Sequence, residues 1–192
     1  MHERLQNLTN ACLSGGADGA DIEWGLHAHT INHEVIHWSF PNHRSQASEK
    51  DIVRLNDKEL SLADEAVSAA AKTLKKSPPS RPIVSHLIKR NYYQVAWSQS
   101  CYAVTYMKDN ELAPGGTAWA IAMFRHLHPG NCDIFVFDQV RESWFQFDGE
   151  KWEGIERPPR PTGIWAGIGA RELQQCGRDA IRKVMGGDEV KT

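Results

Sequence analysis

Short apolar runs alternate with amphipathic, helix-like stretches along this chain. That alternation predicts an α/β fold, a Rossmann-like, mostly parallel sheet with helices on both faces. Ala11-Cys12-Leu13 reads as a strand running into a glycine-rich loop, with a helix following over residues 20–29. Residues 34–40 read as the next strand, ended by Pro41, and the polar stretch 42–58 reads as a long loop. The Ala- and Leu-rich segment 60–75 predicts one helix, closed by Lys72, Lys75 and Lys76 and stopped by Pro78-Pro79. A helix over 83–96, a strand over 101–106 and a helix over 118–127 follow. Ile134-Phe135-Val136-Phe137 is continuously apolar, as a central parallel strand is. Asp148-Gly149, flanked by Trp144 to Phe147 and by Lys151-Trp152, signals a small β-hairpin. A strand over 164–168 and a closing helix over 170–185 complete the pattern.

Composition narrows the class of protein without naming a function. The 192 residues suit one domain spanning 1–192, with the hairpin and a proline-rich insertion at about 141–162. A formal net charge of -2 provides no overall basic field, so nucleic acid is not expected as a partner. No apolar run approaches the roughly 20 residues that span a bilayer, so no membrane partner is expected. Met1-His2-Glu3-Arg4 lacks the head of a secretion signal, and the four cysteines are scattered without a CxxC pair. Three of them fall in apolar, strand-like stretches, and reduced core thiols in a cytoplasmic protein are the expectation.

Two glycine-rich loops carry the candidate chemistry: Ser14-Gly15-Gly16-Ala17-Asp18-Gly19-Ala20-Asp21 and Pro114-Gly115-Gly116-Thr117. A strand entering such a turn and then a helix gathers free backbone N–H groups and a positive helix end at one point, which suits a phosphate. The second loop offers Gly115, Gly116 and the Thr117 hydroxyl with no acid in the way, although Thr117 could equally be a helix N-cap. In the first loop Asp18 and Asp21 would repel a phosphate. They suit ribose hydroxyls, a base or a cation, or else serve the start of the helix.

The first loop resembles the signature of the SLOG superfamily, which includes the lonely-guy phosphoribohydrolases, and the second resembles its other glycine motif. Ala166-Gly167-Ile168-Gly169-Ala170-Arg171 is similar to the segment that normally opens SLOG proteins, yet here it stands near the C-terminus. The resemblance therefore implies a circularly permuted member, in which joining Met185 to Arg4 would restore the usual order. It also implies a nucleotide-type ligand held by Ser14, Gly15, Gly16, Asp18, Asp21, Arg90, Gly115, Gly116, Thr117, Gly167, Gly169 and Arg171, and a homodimer. Arg90 matches the family's catalytic arginine, and with Asp21 it is the candidate catalytic pair. The family's glutamate position falls on Ile121, and Trp119 stands where a small polar residue is usual. Binding, as a sensor or sequestering protein, is accordingly the expected function, with nucleotide N-glycoside hydrolysis as the alternative and DNA processing third.

Other features add little. His27, His29, His33 and His37 straddle a predicted helix, turn and strand, so no metal site is expected, and no cofactor either. One of Tyr92 and Tyr93 is expected in the core, with the other free to stack on a base. Trp144, Phe145, Trp152 and Trp165 are read as core and hairpin packing, or as an apolar dimer contact.

Overall fold

The computed structural model describes residues 2–186. After a 3-10 turn at Glu3–Leu5 come β1 (Ala11–Ser14), α1 (Ala20–Thr30), β2 (Glu34–Ser39), β3 (Ile52–Arg54), α2 (Asp57–Ser61) and α3 (Asp64–Thr73). Then follow α4 (Pro82–Val95), β4 (Ser100–Thr105), β5 (Met107–Lys108), β6 (Glu111–Leu112) and α5 (Gly116–Leu127). The chain closes with β7 (Ile134–Asp138), β8 (Ser143–Phe147), β9 (Trp152–Ile155), β10 (Ile164–Gly169) and α6 (Gln175–Val184). Eight strands form one sheet in the order β3-β2-β1-β10-β4-β7-β8-β9. The first six run parallel, and β8 and β9 add antiparallel at one edge. The architecture is mixed α/β with a mostly parallel sheet.

The period-two rule of strands explains how the sheet builds a core on each face. In β4, Cys101 and Ala103 point to the side of α3, α4 and α5, whereas Tyr102 and Val104 point to the side of α1 and α6. β7 repeats this with Ile134 and Val136 against Phe135 and Phe137. Near the other edge Leu13, Ile36, Trp38 and Phe40 pack with Leu60 and Tyr93 from α2 and α4. A central strand buried on both faces has no polar side to show, hence the continuous apolar runs.

Four expectations are corrected. The stretch 42–58 is not a plain loop: it holds a 3-10 turn at Glu49–Asp51, the edge strand β3, and the start of α2. Asn56 caps α2 through a capping box with Glu59, so helix begins before residue 60. The single helix expected over 60–75 is two, because the Leu62 and Ala63 N–H groups bond back three residues to the Glu59 and Leu60 carbonyls. The closing helix starts at Gln175 rather than 170. Gln139 holds the intervening segment out of helix, donating to the Glu172 carbonyl (3.1 Å) and accepting from the Gln174 N–H (2.7 Å). Cys12 and Cys101 are fully buried in strands, but Cys132 lies before β7 and Cys176 on α6, both half-buried.

Trp144, Trp152 and Trp165 are buried and Phe145 is half-buried, so these four side chains pack the interior. Among the described residues, no helix is long and apolar enough to cross a membrane.

Candidate functional site

β1, β10 and β4 are neighbours in the sheet, and all run parallel. The turns leaving their C-terminal ends therefore meet at one edge, where open α/β sheets bind ligands. There the first glycine loop, the Gly169-Ala170-Arg171 turn and the Pro114-to-Thr117 loop surround a cavity of about 360 Å³, closed on one side by α4. The site thus draws on residues that are far apart along the chain.

The two helix starts at this edge differ. The α1 start is plugged: the Ala20 N–H donates to the Ala170 carbonyl (3.0 Å), and a Cβ at Gly19 would overlap the Ala170 and Arg171 carbonyls. Its Asp21 and Glu23 add negative charge to the first turn. The α5 start is open. Its first turn carries no acid, and a helix leaves its first N–H groups without carbonyl partners of its own. Gly115, Gly116 and Thr117 all line the cavity. Thr117 is not the N-cap, a place taken by Gly115, and it stands one residue into the helix.

Arg90 and Asp21 form the buried centre of the site, each 5% exposed, with Nη1 of Arg90 3.6 Å from Oδ2 of Asp21. The Arg90 guanidinium also donates to the Gly15 carbonyl, and more weakly to that of Trp38 at 3.5 Å. Its buried Nε has no partner among the described residues. Burial pushes the Asp21 carboxyl above its ordinary range, while Arg90 and the N–H groups of Ala17, Gly169 and Gly15 pull it back. Burial likewise lowers Arg90, and Asp21 opposes that shift. An ion pair this deep is costly to assemble and sensitive to the loss of either member.

The expected ligand residues divide into two groups, with Asp18 apart from both. Asp21, Arg90, Gly115, Gly116, Thr117, Gly169 and Arg171 line the cavity. Ser14, Gly15, Gly16 and Gly167 do not; they shape the loops behind it. The Ser14 hydroxyl donates to the Asp21 carbonyl (3.1 Å), and Gly15 is small because Arg90 fills the space a Cβ would take. Gly16 sits at φ +61°, and a Cβ on Gly167 would lie 2.7 Å from the Trp24 Cβ. Asp18 does not cap α1, whose N-cap is Gly19, and it lies in an adjoining recess.

Ile121 is 1% exposed in the core between α5 and the sheet, so the position where the resemblance expects a glutamate points away from the cavity. Tyr93 is buried with its hydroxyl on the Glu59 carbonyl (2.7 Å), and Tyr92 packs against Trp97. Neither faces the cavity, which corrects the base-stacking expectation. Asn91 and Gln94 were not singled out as ligand residues, yet both are buried lining residues, and Nδ2 of Asn91 donates to the Gly116 carbonyl (3.0 Å). Only Gln94 carried a signal, its spacing of one helical turn from Arg90 along α4; Asn91 carried none.

The four histidines do not converge. His29 pairs with Asp51 (2.8 Å), His27 with Glu23 (3.4 Å), His33 accepts from Trp165 Nε1 (3.1 Å), and His37 is buried beside Gly25. Among the described residues, no group of three His, Cys, Asp or Glu side chains is placed to hold a metal.

No family model matches the chain, and neither a curated protein nor a solved structure does.

Proposed function

We propose that this edge of the sheet binds a nucleotide or nucleotide-derived small molecule, and that the protein acts as a sensor or sequestering module. The observation that carries the reading is the open first turn of α5 facing a 360 Å³ cavity beside the buried Arg90. Unpaired N–H groups at the start of α5, the helix dipole and the neighbouring Arg90 charge suit an anion, and the volume suits a small ligand. Asp21, its carboxylate 3.6 Å from Arg90, and Ala17 of the first loop also line the cavity, where a carboxylate accepts from ribose hydroxyls.

The circular permutation from the SLOG order belongs to the same proposal. β10 lies between β1 and β4, parallel to both, and α6 packs beside α1. In the unpermuted order, β10, α6 and β1 would form one βαβ crossover. A chain with residues 163–186 moved ahead of residue 4 is expected to fold to the same circular-dichroism spectrum, and a molten product would contradict the permutation.

A second reading, hydrolysis of a nucleotide N-glycosidic bond, is favoured by one feature. The Asp21 carboxyl is lifted by burial and lines the cavity next to Arg90, as a group exchanging protons with substrate would. Native mass spectrometry of the purified protein tests binding through any ligand that travels with it. Incubation with the common nucleoside monophosphates separates the readings: released free base supports the hydrolase, and saturable binding without release supports the binder.

A further inference from the structure

A second recess of about 290 Å³ adjoins the main cavity across a shared wall of Ala17, Leu87 and Arg171. Its remaining wall comes from Asp18, the Asn42-His43-Arg44 turn after β2, and Ile83 on the first turn of α4. That turn belongs to the stretch read from sequence as a bare loop. Arg44 and Arg171 are exposed, and among the described residues neither side chain has an ion pair or hydrogen bond. Two arginines thus line the recess against one acidic residue, Asp18.

His43 reports the field there. Its Nδ1 shares a hydrogen bond with the Ser39 hydroxyl (2.9 Å), and its ring stacks on Phe40 with centroids 5.0 Å apart. Burial and then the Arg90 and Arg171 charges hold the imidazole down at about 4, with Asp18 opposing them. At neutral pH the ring is uncharged, first because it is desolvated and then because Arg90 and Arg171 oppose a further positive charge there. An open recess with free guanidiniums and a positive field is suited to an anion.

We propose that this recess takes a second phosphate carried on the ribose of the nucleotide, so that the ligand class is a nucleoside bisphosphate rather than a monophosphate. The inference rests on the nucleotide reading of the main cavity. There the first loop is assigned to the sugar, and the recess opens beside Ala17 and Asp18 of that loop. A group leaving the main cavity at that point is attached to the ribose. Arg171 lines both spaces and stands between the two phosphates, and Arg44 serves the second alone.

Titration with adenosine 5′-monophosphate and with the 2′,5′- and 3′,5′-bisphosphates tests this, read by calorimetry and by the His43 imidazole signal in NMR. One bisphosphate is expected to bind at least about tenfold more tightly than the monophosphate, as one charge-assisted contact provides. It should also raise the His43 pKa, and Arg44→Gln should bring the two affinities together. Arg44 is an exposed loop residue, so this variant folds. Equal affinity of all three probes with an unmoved His43 would overturn the second phosphate while leaving the main cavity's reading intact. Arg44→Gln weakening all three probes equally would also overturn it. Binding of none of them would overturn both.

Discussion

Replacing Arg90 with methionine isolates the buried pair at the heart of the cleft. Methionine keeps the length of the arginine stem and removes the charge, stranding Asp21 at 5% exposure and leaving the Gly15 and Trp38 carbonyls without their donor. At 3.6 Å, two unit charges attract by about 4–5 kcal/mol if the effective dielectric is about 20. Removing one member of a buried pair characteristically costs about 3–5 kcal/mol. Urea unfolding at pH 7 should therefore show a loss in that range.

The pH dependence supplies an internal control. Asp21 already has a raised pKa, and without Arg90 it rises further. A folded carboxyl with a raised pKa holds its proton more firmly than the unfolded one, so the variant's deficit relative to the native protein shrinks as pH falls from 7 to 5. The double variant Arg90→Met/Asp21→Asn should recover most of the loss, because no buried charge is left unpaired. A loss below about 1 kcal/mol at pH 7, or a double variant worse than Arg90→Met alone, would refute this account of the pair.

Three other predictions address packing and ionisation. Burial holds the His37 imidazole down at about 4, from an unfolded value of 6.5. Below pH 6.5 the unfolded chain takes up a proton that the folded one refuses. Stability should then fall by about 3 kcal/mol between pH 6.5 and 4, and His37→Gln should flatten that slope in urea titrations across the window. An unchanged slope would rule His37 out as the cause. Gly167→Ala places a Cβ 2.7 Å from the Trp24 Cβ and 3.0 Å from the Cys12 Sγ, so thermal unfolding should register a loss of about 1–3 kcal/mol. Cys132 and Cys176 should react with a thiol reagent in the native protein, whereas Cys12 and Cys101 should react only after denaturation, as counted by mass spectrometry.

Much of the frame could be read from the chain because each central strand is buried on both faces. Ile134 to Phe137 has no polar position to confuse the reading, and the glycine turns before α1 and α5 mark where helices begin. Elements held by distant partners were hidden. β3 is three residues on a sheet edge, with Ile52 and Val53 half-buried and Arg54 exposed, too short for a periodic signal. The break between α2 and α3 falls in an Ala- and Leu-rich run whose composition is helical throughout. The late start of α6 depends on Gln139, more than thirty residues away.

The site was legible in its residue types and less so in their duties. Gly, Asp and Arg stood out, but nothing in the chain distinguishes Gly167, which fits under Trp24, from Gly169, which lines the cavity. Asn91 and Gln94 looked like ordinary helix residues until α4 was seen to wall the cleft.

Calorimetric titration with adenosine 5′-monophosphate, of the native protein and of Gly116→Arg, tests the central claim most directly. The nearest atom to a Cβ at Gly116 is Nδ2 of Asn91 at 3.7 Å, so the arginine can be accommodated and its side chain extends into the cavity. The native protein should bind one nucleotide saturably, and Gly116→Arg should bind none while unfolding at the native temperature. Binding that survives Gly116→Arg, or a native protein that binds no nucleotide, would contradict the anion cradle at the start of α5.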